Sequence, residues 1–559
     1  MLPGKKRPEK GESADRRLRS RVENLFLSNT LSAEETSDLA RDARDSGVSS
    51  LRRLAEIGER RQDGLARPRD IRRHLSKNSH WPPTYKFQAP VWDKENQRQQ
   101  TATLTCMLPH EVLYVMNEKS PEGGGLTDLA HLQESELQRH ARAAADMGID
   151  RESLTGLGIW GDGVPMTRNR NQSLEMLSFN ILTCQLRSTM RIPVFVIQKH
   201  WLARGGSTWD AVMDVLRWSL TCATSGQMPK YDHTGLQPLK EPWRKQRALI
   251  HTPRSVLLEI RGDWAFFKQV LYMPAWNEAS GCCWMCDIKP EDIREVSGEA
   301  AWMQPEHRKT PWQALMAAPS ISPIFATPYV GTECIQMDWL HVVDIGIALQ
   351  FLGSIMKYFC SKFEGTFDEQ VREMFRCILE FYDVQAVEYR FDHLKPSMIK
   401  DPKKKFPKLR AKAGESRCLV PWAAQMADAL RDADNEVEQT MYKCAWHFNK
   451  CYEQLSSRTF DAAVLAEHGV AFANLYVALH EHFTVQGVCL FKVTPKLHLF
   501  CEISYRGRDC PSVHWSYRDE DWGGKMAILA ASKGGANTPN ALANAFFSRF
   551  TSGHKVPVL

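Results

Sequence analysis

Two carboxylates in this sequence each follow an apolar run and a glycine. Asp162 comes after residues 157–160 and Gly161, and Asp263 comes after residues 256–261 and Gly262. Such runs are typical of buried strands that end in a turn. Paired carboxylates are ligands that a divalent cation such as Mg²⁺ or Mn²⁺ prefers, so we expect both side chains within reach of one ion, roughly 4–6 Å apart. The alternative is that Gly-Asp after a strand is ordinary turn chemistry.

A dense group of thiols suggests a second metal site. Cys283 and Cys286 have the Cys-x-x-Cys spacing of zinc ligands, but one such pair supplies only half of a tetrahedral site. His307 could complete it, together with His341 or Cys334. A structural Zn²⁺ there would fix the following segment to the core. The alternative is a group of buried cysteines without a metal.

Positive charge is concentrated in two parts of the chain. Residues 1–80 carry 19 basic and 13 acidic residues, so this part accounts for the whole net charge of +6. A second basic stretch has Phe406 available for base stacking and could follow a nucleic-acid backbone. A solvated loop would explain it nearly as well. The candidate nucleic-acid contacts there are Lys403, Lys404, Lys405, Lys408, Arg410 and Lys412.

Composition points to an intracellular protein. No secretory leader is expected, because no apolar segment follows the N-terminal basic residues, and the 15 scattered cysteines are typical of free thiols in a reducing compartment. No apolar run reaches the roughly 18 residues of a membrane helix, so no membrane segment is expected. The basic run at residues 5–8 has the composition of a nuclear localisation signal, which predicts a nuclear protein.

Periodicity predicts an α/β protein with five parts. Residues 1–80 form a basic helical region whose first 20 or so residues are disordered, and residues 81–150 form a connector. Residues 151–290 alternate strands and helices and contain Asp162 and Asp263. Residues 291–480 are mostly helical, and residues 481–559 complete the core. Capping boxes at Ser32 and Ser207 predict helix starts.

Several short motifs, in their shared order, resemble CACTA-type transposases and the multicopy transposase-like families of some protist genomes. The resemblance covers roughly residues 150–535. Its motifs are Asp162-Gly163-Val164-Pro165, Asp263, Cys283-Trp284-Met285-Cys286, His307-Arg308, Asp338-Trp339-Leu340-His341 before Leu352-Gly353, Lys496-Leu497-His498 and Trp515-Ser516-Tyr517.

The resemblance implies an RNase H-like mixed-sheet core with a large helical insertion. It implies DNA as the partner, and cleavage and transfer of DNA strands with Mg²⁺ or Mn²⁺ held by three carboxylates. The order of three strands, a helix and a strand bearing the second acid fits that fold. Homo-oligomerisation stays open.

The third carboxylate has several candidates. We expect Glu520, which lies near a helix start after the last strand-like segment, to join Asp162 and Asp263 as a catalytic and metal-binding residue. The competing acids are Asp338, Asp344, Asp519 and Asp521. The alternative function is a catalytically inactive DNA- or chromatin-binding protein derived from a transposase. An unrelated hydrolase ranks last, because no nucleophile elbow, Walker motif or dinucleotide fingerprint is present.

Overall fold

A six-stranded mixed sheet organises the structure. The computed structural model describes residues 14–27, 31–59, 64–76, 80–120, 125–166, 172–275, 278, 281–400, 405–531 and 538–557. The strands are β1 (Tyr85–Asp93), β2 (Arg98–Cys106), β3 (Leu154–Pro165), β4 (Ser173–Ile181), β5 (Ile192–Gln198) and β6 (Arg254–Gly262). Their order across the sheet is β1-β2-β5-β4-β3-β6. β3 and β6 run parallel, and the other neighbouring pairs are antiparallel.

Helices account for most of the remaining described chain. The α-helices are α1 (Ala14–Leu27), α2 (Ala33–Asp45), α3 (Arg52–Glu59), α4 (Pro68–Ser76), α5 (Pro109–Lys119), α6 (Glu134–Met147), α7 (Ser207–Ser225), α8 (Pro242–Arg247), α9 (Trp264–Val270), α10 (Pro311–Ala317), α11 (Ala348–Cys360), α12 (Phe367–Val384), α13 (Pro396–Ile399), α14 (Ala413–Leu430), α15 (Glu436–Glu453), α16 (Ala462–Val485), α17 (Pro495–Arg506), α18 (Pro511–His514), α19 (Tyr517–Ala531) and α20 (Pro539–Gly553). A π-helical segment, Leu340–Ile347, leads directly into α11.

The central strands are buried along almost their whole length. β4, β5 and β6 have buried residues at nearly every position, as expected for strands covered on both faces. Helix α7 packs against β1 and β6, and α20 packs against β2 and β5. The expected α/β class is therefore confirmed.

The segment expected to be a connector contributes two strands to this sheet. β2 meets β5 at Cys106 and Phe195, and the Met107 amide donates to the Val194 carbonyl at 2.9 Å. Much of β2 is exposed or half-buried and polar. An edge hairpin of this kind lacks the strong apolar signal of the central strands, which is why periodicity understates it.

A separate helical body follows the sheet. Its apolar core joins helices α11, α12 and α14 to α17 with the cysteine group at residues 282–286. Helix α17 belongs to this body, whereas α19 packs on β3. The part expected to complete the core, residues 481–559, is therefore divided between the two bodies.

The N-terminal region is helical from Ala14 onwards. The expectation of disorder over the first 20 residues is thus wrong for residues 14–20, while residues 5–8 lie outside the described residues. The capping box at Ser32 is confirmed: Glu35 N donates to its hydroxyl at 3.1 Å, and its own amide donates to Glu35 Oε2 at 2.7 Å. Ser207 is not a cap, because α7 follows Gly206 in a left-handed conformation.

Two described helical segments, Leu340–Cys360 and Ala462–Val485, are long and apolar enough to cross a membrane by length and composition. No such segment was expected from the sequence. For Leu340–Cys360, 78% of the most apolar stretch is buried inside the protein, and a buried core helix passes the same test. These two helices are therefore weak indications of a membrane location.

Candidate metal centre

The two expected strand-end carboxylates lie at the same edge of the sheet. Gly161 of β3 and Gly262 of β6 are the last paired residues of the parallel ladder, so Asp162 and Asp263 follow at equivalent positions. Neighbouring strands are about 4.8 Å apart. The turn expected directly after Asp162 does not occur, because β3 continues to Pro165 in antiparallel pairing with β4. Asp162 therefore lies inside a strand, and Asp263 alone ends one.

The glycine before each aspartate makes room for one aromatic ring. A Cβ atom on Gly161 would lie 2.1 Å from Cε2 of Phe266, and one on Gly262 would lie 2.5 Å from Cδ1 of the same ring. Asp263 caps the helix that carries this ring, since the Phe266 amide donates to its Oδ1 at 2.6 Å. The repeated Gly-Asp pattern thus has a packing cause, and Asp263 has a capping role as well.

Glu520 reaches this edge of the sheet from the first turn of α19. The helix approaches β3 closely at Gly523, where a Cβ atom would lie 3.0 Å from both Trp160 and Val164. Ligand atoms of Glu520, Asp162 and His341 lie within 4.8 Å of one another. The described structure thus brings Glu520, and not the competing acids, next to Asp162.

The competing acids all have other partners. Asp519 is fully buried and pairs with Arg191 and Arg261, and Asp521 is exposed and pairs with Lys525. Asp344 accepts from the hydroxyls of two tyrosines, Tyr452 at 2.6 Å and Tyr517 at 2.7 Å. Burial raises the pKa of Asp344 to about 7 despite these hydrogen bonds.

The fourth competitor, Asp338, orients the histidine of the site. Its Oδ2 is 2.5 Å from Nδ1 of His341, and its Oδ1 accepts from the Ser516 amide at 3.0 Å. Nε2 of His341 lies 3.7 Å from Glu520 Oε1. A hydrogen bond at Nδ1 fixes the tautomer and leaves Nε2 as the ligand atom. His341, expected beside the cysteines, is thus a member of the carboxylate group.

The carboxylates of this group carry unfavourable negative charge. Burial raises the pKa of Asp162 well above its usual range, and the charges of Glu520 and Asp263 add to this effect. Burial also raises the pKa of Glu520, although the charge of His341 opposes the shift. Glu520 Oε1 is buried without a hydrogen-bond partner in the described structure. A bound cation would relieve both conditions, so this donor set fits a divalent metal.

His341 itself is drawn toward its charged form. Burial lowers the pKa of His341, but the hydrogen bond and charge of Asp338, with the charges of Glu520 and Asp263, raise it on balance. This shift favours the imidazolium, whose positive charge would partly neutralise the carboxylates when no metal is bound.

The second group of metal ligands consists of Cys283, Cys286, His498 and Glu502, all buried. Cys286 Sγ lies 3.4 Å from His498 Nε2, Cys283 Sγ lies 3.9 Å from Glu502 Oε1, and the two α17 side chains are 3.5 Å apart. Zinc bonds of about 2.0–2.3 Å in a tetrahedron bring their ligand atoms to separations of this order. Cys283 and Cys286 therefore remain candidate zinc ligands.

The expected histidine ligands of this second group are replaced. His307 is half-buried and pairs with Asp287 at 3.0 Å, and His341 lies at the carboxylates. Residues 498 and 502 are four apart on one helix, which places both side chains on one face. This spacing could have indicated a ligand pair, but the sequence alone does not show that α17 packs against the cysteines.

The local chemistry of the cysteines favours metal binding. A hydrogen bond from Cys283 lowers the pKa of Cys286 to about 4, with a further contribution from His498. Burial raises the pKa of Cys283. Arg308 holds Glu502 through two bonds, Nη1–Oε1 at 2.6 Å and Nη2–Oε2 at 3.1 Å. Two cysteine sulfurs, an imidazole and an oriented carboxylate form a donor set that fits Zn²⁺.

A third group of ionisable side chains, Glu136, Glu259 and His514, is already compensated. Arg187 lies 2.6 Å from both oxygens of Glu136, and Arg261 lies 2.7 Å from Glu259 Oε2. Nδ1 of His514 is 2.9 Å from Glu259 Oε1. Because arginine side chains already pair with these carboxylates, the group fits a structural ion network better than a metal site.

The described part of the basic stretch, residues 405–412, is held against the helical body by backbone hydrogen bonds. Lys403 and Lys404 lie outside the described residues. Lys405, Arg410 and Lys412 are exposed and Lys408 is half-buried. The Leu409 amide donates to the Leu349 carbonyl of α11 at 2.9 Å, and further backbone bonds join Lys408 to Ile399 and Arg410 to Met398.

A comparison with protein-family models and a comparison with curated proteins find no match to this chain.

Proposed function

We propose that the sheet and the helices packed on it form an RNase H-like core. The support is the order of its elements. Antiparallel β3, β4 and β5 are followed by α7, the short helix α8 and then β6, which is parallel to β3. Asp162 lies in the first of these strands, and Asp263 directly follows the last. Residues 281–506 would be the helical insertion of such a fold.

The function that this geometry supports best is metal-dependent cleavage and transfer of DNA strands, as in a transposase. One observation carries the proposal: Asp162, Glu520 and His341 converge at the strand edge where Asp263 also lies. These residues come from four distant parts of the sequence. Ordinary turn chemistry explains a lone Gly-Asp, but it does not explain this convergence.

Each residue has a distinct task in this proposal. Asp162 and Glu520 would hold Mg²⁺ or Mn²⁺, with Asp263 beside them and Nε2 of His341 as a further ligand. Asp338 keeps the imidazole of His341 in the required tautomer. When bound, the ions would polarise the attacking water or 3′-hydroxyl and stabilise the leaving oxygen.

The cysteine group would hold a structural Zn²⁺ in the same proposal. The loop at residues 282–286 follows the last strand, and His498 and Glu502 come from α17. Metal ligation would thus fasten the beginning of the helical body to its last helix.

Cleavage of supercoiled and terminal-repeat DNA in Mg²⁺ or Mn²⁺ tests the function. We expect wild-type protein to cleave DNA. The cleavage rate should fall at least 100-fold in both Asp162→Asn and Glu520→Gln, which is the size of effect seen when a group that stabilises transition-state charge is removed. Asp521→Asn is the matched control, because it removes the same charge one residue from Glu520 at an exposed position.

The outcomes separate the two candidate functions. Cleavage lost in the first two variants and kept in Asp521→Asn supports the nuclease. DNA binding without cleavage by the wild-type protein in either metal supports the non-enzymatic DNA- or chromatin-binding alternative. Equal cleavage by all variants would refute the assigned residues.

A further inference from the structure

Lys496 lies beside the carboxylate group and has no ion-pair partner among the described residues. The Lys496 ammonium donates to the main-chain carbonyl of His341, whose ring belongs to the carboxylate group. Within the described residues, no carboxylate lies within 4.0 Å of this ammonium, and the side chain is half-buried. A lysine ammonium has three donors, so two are left to meet an incoming acceptor.

The helical segment that contains His341, Leu340–Cys360, also packs against the basic loop 405–412. A Cβ atom on Gly346 would lie 2.7 Å from Cδ of Lys496, and one on Gly353 would lie 2.8 Å from the backbone of Lys408. Gly346 lies in the π-helical part and Gly353 lies in α11, so the two contacts fall on one continuous helical segment. Lys496 and the basic loop 405–412 therefore both pack against the segment that begins at Leu340.

The negative charge of a DNA substrate explains why cations beside the carboxylate group would be useful. A phosphodiester that approaches Asp162, Asp263 and Glu520 is repelled by their negative charge. Lysine and arginine side chains near the carboxylates offset that repulsion, and phosphate contacts also fix the register of a nucleic-acid strand.

We propose that Lys496 and the basic loop 405–412 bind the phosphodiester backbone of the DNA strand as it enters the carboxylate site. This inference rests on the proposed function, since it names the contacts by which the same site holds its substrate. Lys496 would meet the phosphate nearest the carboxylates, and Lys408 would meet a phosphate further along the strand.

The salt dependence of DNA binding tests the inference without cleavage. Binding of full-length protein to a tailed DNA duplex would be measured in Ca²⁺ between about 50 and 200 mM salt, where each lost phosphate contact lowers the slope by about 0.7–0.9. We expect this decrease, with affinity about tenfold weaker, for Lys496→Met and Lys408→Met. Lys496→Arg should keep the slope.

Lys86→Met is the matched control, because it removes the same charge from an exposed position on β1, at the other edge of the sheet from β6. An unchanged slope in both Lys496→Met and Lys408→Met, with wild-type thermal stability, overturns the inference. If wild-type protein binds DNA but never cleaves it, the proposed function fails and the slopes still decide the inference. If wild-type protein does not bind DNA, both fail.

Discussion

Asp519 and Arg261 join helix α19 to the last strand of the sheet, with Arg261 Nη2 3.1 Å from Asp519 Oδ1. Arg191 binds the same carboxylate from the start of β5. The residue before Glu520 is thus tied to the strand that ends at Asp263. This buried ion group fixes the position of the third acid relative to the other two.

Asp519→Asn should therefore damage both stability and metal binding. The change leaves the buried guanidinium groups of Arg191 and Arg261 without a full counter-charge, which costs about 3–5 kcal/mol. Urea unfolding measures the loss, and a Mn²⁺ titration should show weaker binding although no proposed metal ligand is altered. In Asp521→Asn, an exposed neighbour, both quantities should stay within error. Unaltered Mn²⁺ affinity in a folded Asp519→Asn protein would contradict this positioning role.

The stability of the protein should fall at alkaline pH because of His514. Burial lowers the pKa of His514, but hydrogen bonds to Asp509 and Glu259 and the charges of Glu259 and Glu136 raise it to about 9. The folded pKa lies above the unfolded value. The stabilisation is therefore complete below about pH 6.5 and is lost as pH rises through about 9.

The size of this loss is on the order of 3 kcal/mol at 1.36 kcal/mol per pKa unit. The free energy of unfolding of wild-type protein and His514→Gln would be measured from pH 6 to about 9.5. We expect the two proteins to differ most at pH 6 and to converge at the alkaline end. Arg187 and Arg261 face the same group but stay charged throughout. A constant difference across the range would rule out His514 as the titrating group.

Zinc content should depend on Cys286 and not on its buried neighbour Cys282. Cys286→Ser removes a ligand of the proposed site, so purified protein should lose its zinc and unfold at a lower temperature. Metal analysis and thermal unfolding measure the two effects. Cys282→Ser is the control, since Cys282 is buried but lies outside the ligand group. Zinc-free wild-type protein, or equal zinc in both variants, would refute the site.

Asp162→Asn should stabilise the metal-free protein. Folding raises the pKa of Asp162, so its ionised form costs stability at neutral pH, and removal of that charge should gain on the order of 1 kcal/mol. Excess Mn²⁺ should reverse the order, because it stabilises the protein that binds it. Thermal unfolding with and without Mn²⁺ gives both comparisons. A Mn²⁺-induced shift of equal size in both proteins would be inconsistent with Asp162 as a ligand.

Gly161→Ala should destabilise the fold by overpacking. The new methyl group would overlap the Phe266 ring, and such strain costs about 1–3 kcal/mol. Phe266→Leu made in the same chain should recover part of the loss, because leucine vacates the ring position. Urea unfolding of the two single variants and the double variant gives the coupling energy. Strictly additive effects would show that the two residues do not meet.

The sequence indicates the central strands and both aspartates because buried strands and glycine turns leave local patterns. β5 starts at Ile192, and α9 starts directly after Asp263. The edge strand β1 was missed, since its signal is weaker.

The candidate ligands of the two proposed metal sites were harder to predict from the sequence. His341 was assigned to the cysteines because it follows them in the chain, but its position in space is set by Asp338 and by the docking of α19. His498 reaches the cysteines only through the packing of α17 in the helical body. Both choices depend on contacts between distant segments, which local periodicity does not report.

The pairing of Arg261 with Asp519 spans 258 residues. Contacts between residues far apart in the sequence cost more loop-closure entropy than local contacts, and they slow folding. During synthesis, the sheet strands leave the ribosome long before α19 does. A nascent or C-terminally truncated chain thus contains Asp162 and Asp263 but lacks Glu520. Asp162, Asp263 and Glu520 are present together only once translation has passed α19, so the proposed metal site cannot form before then.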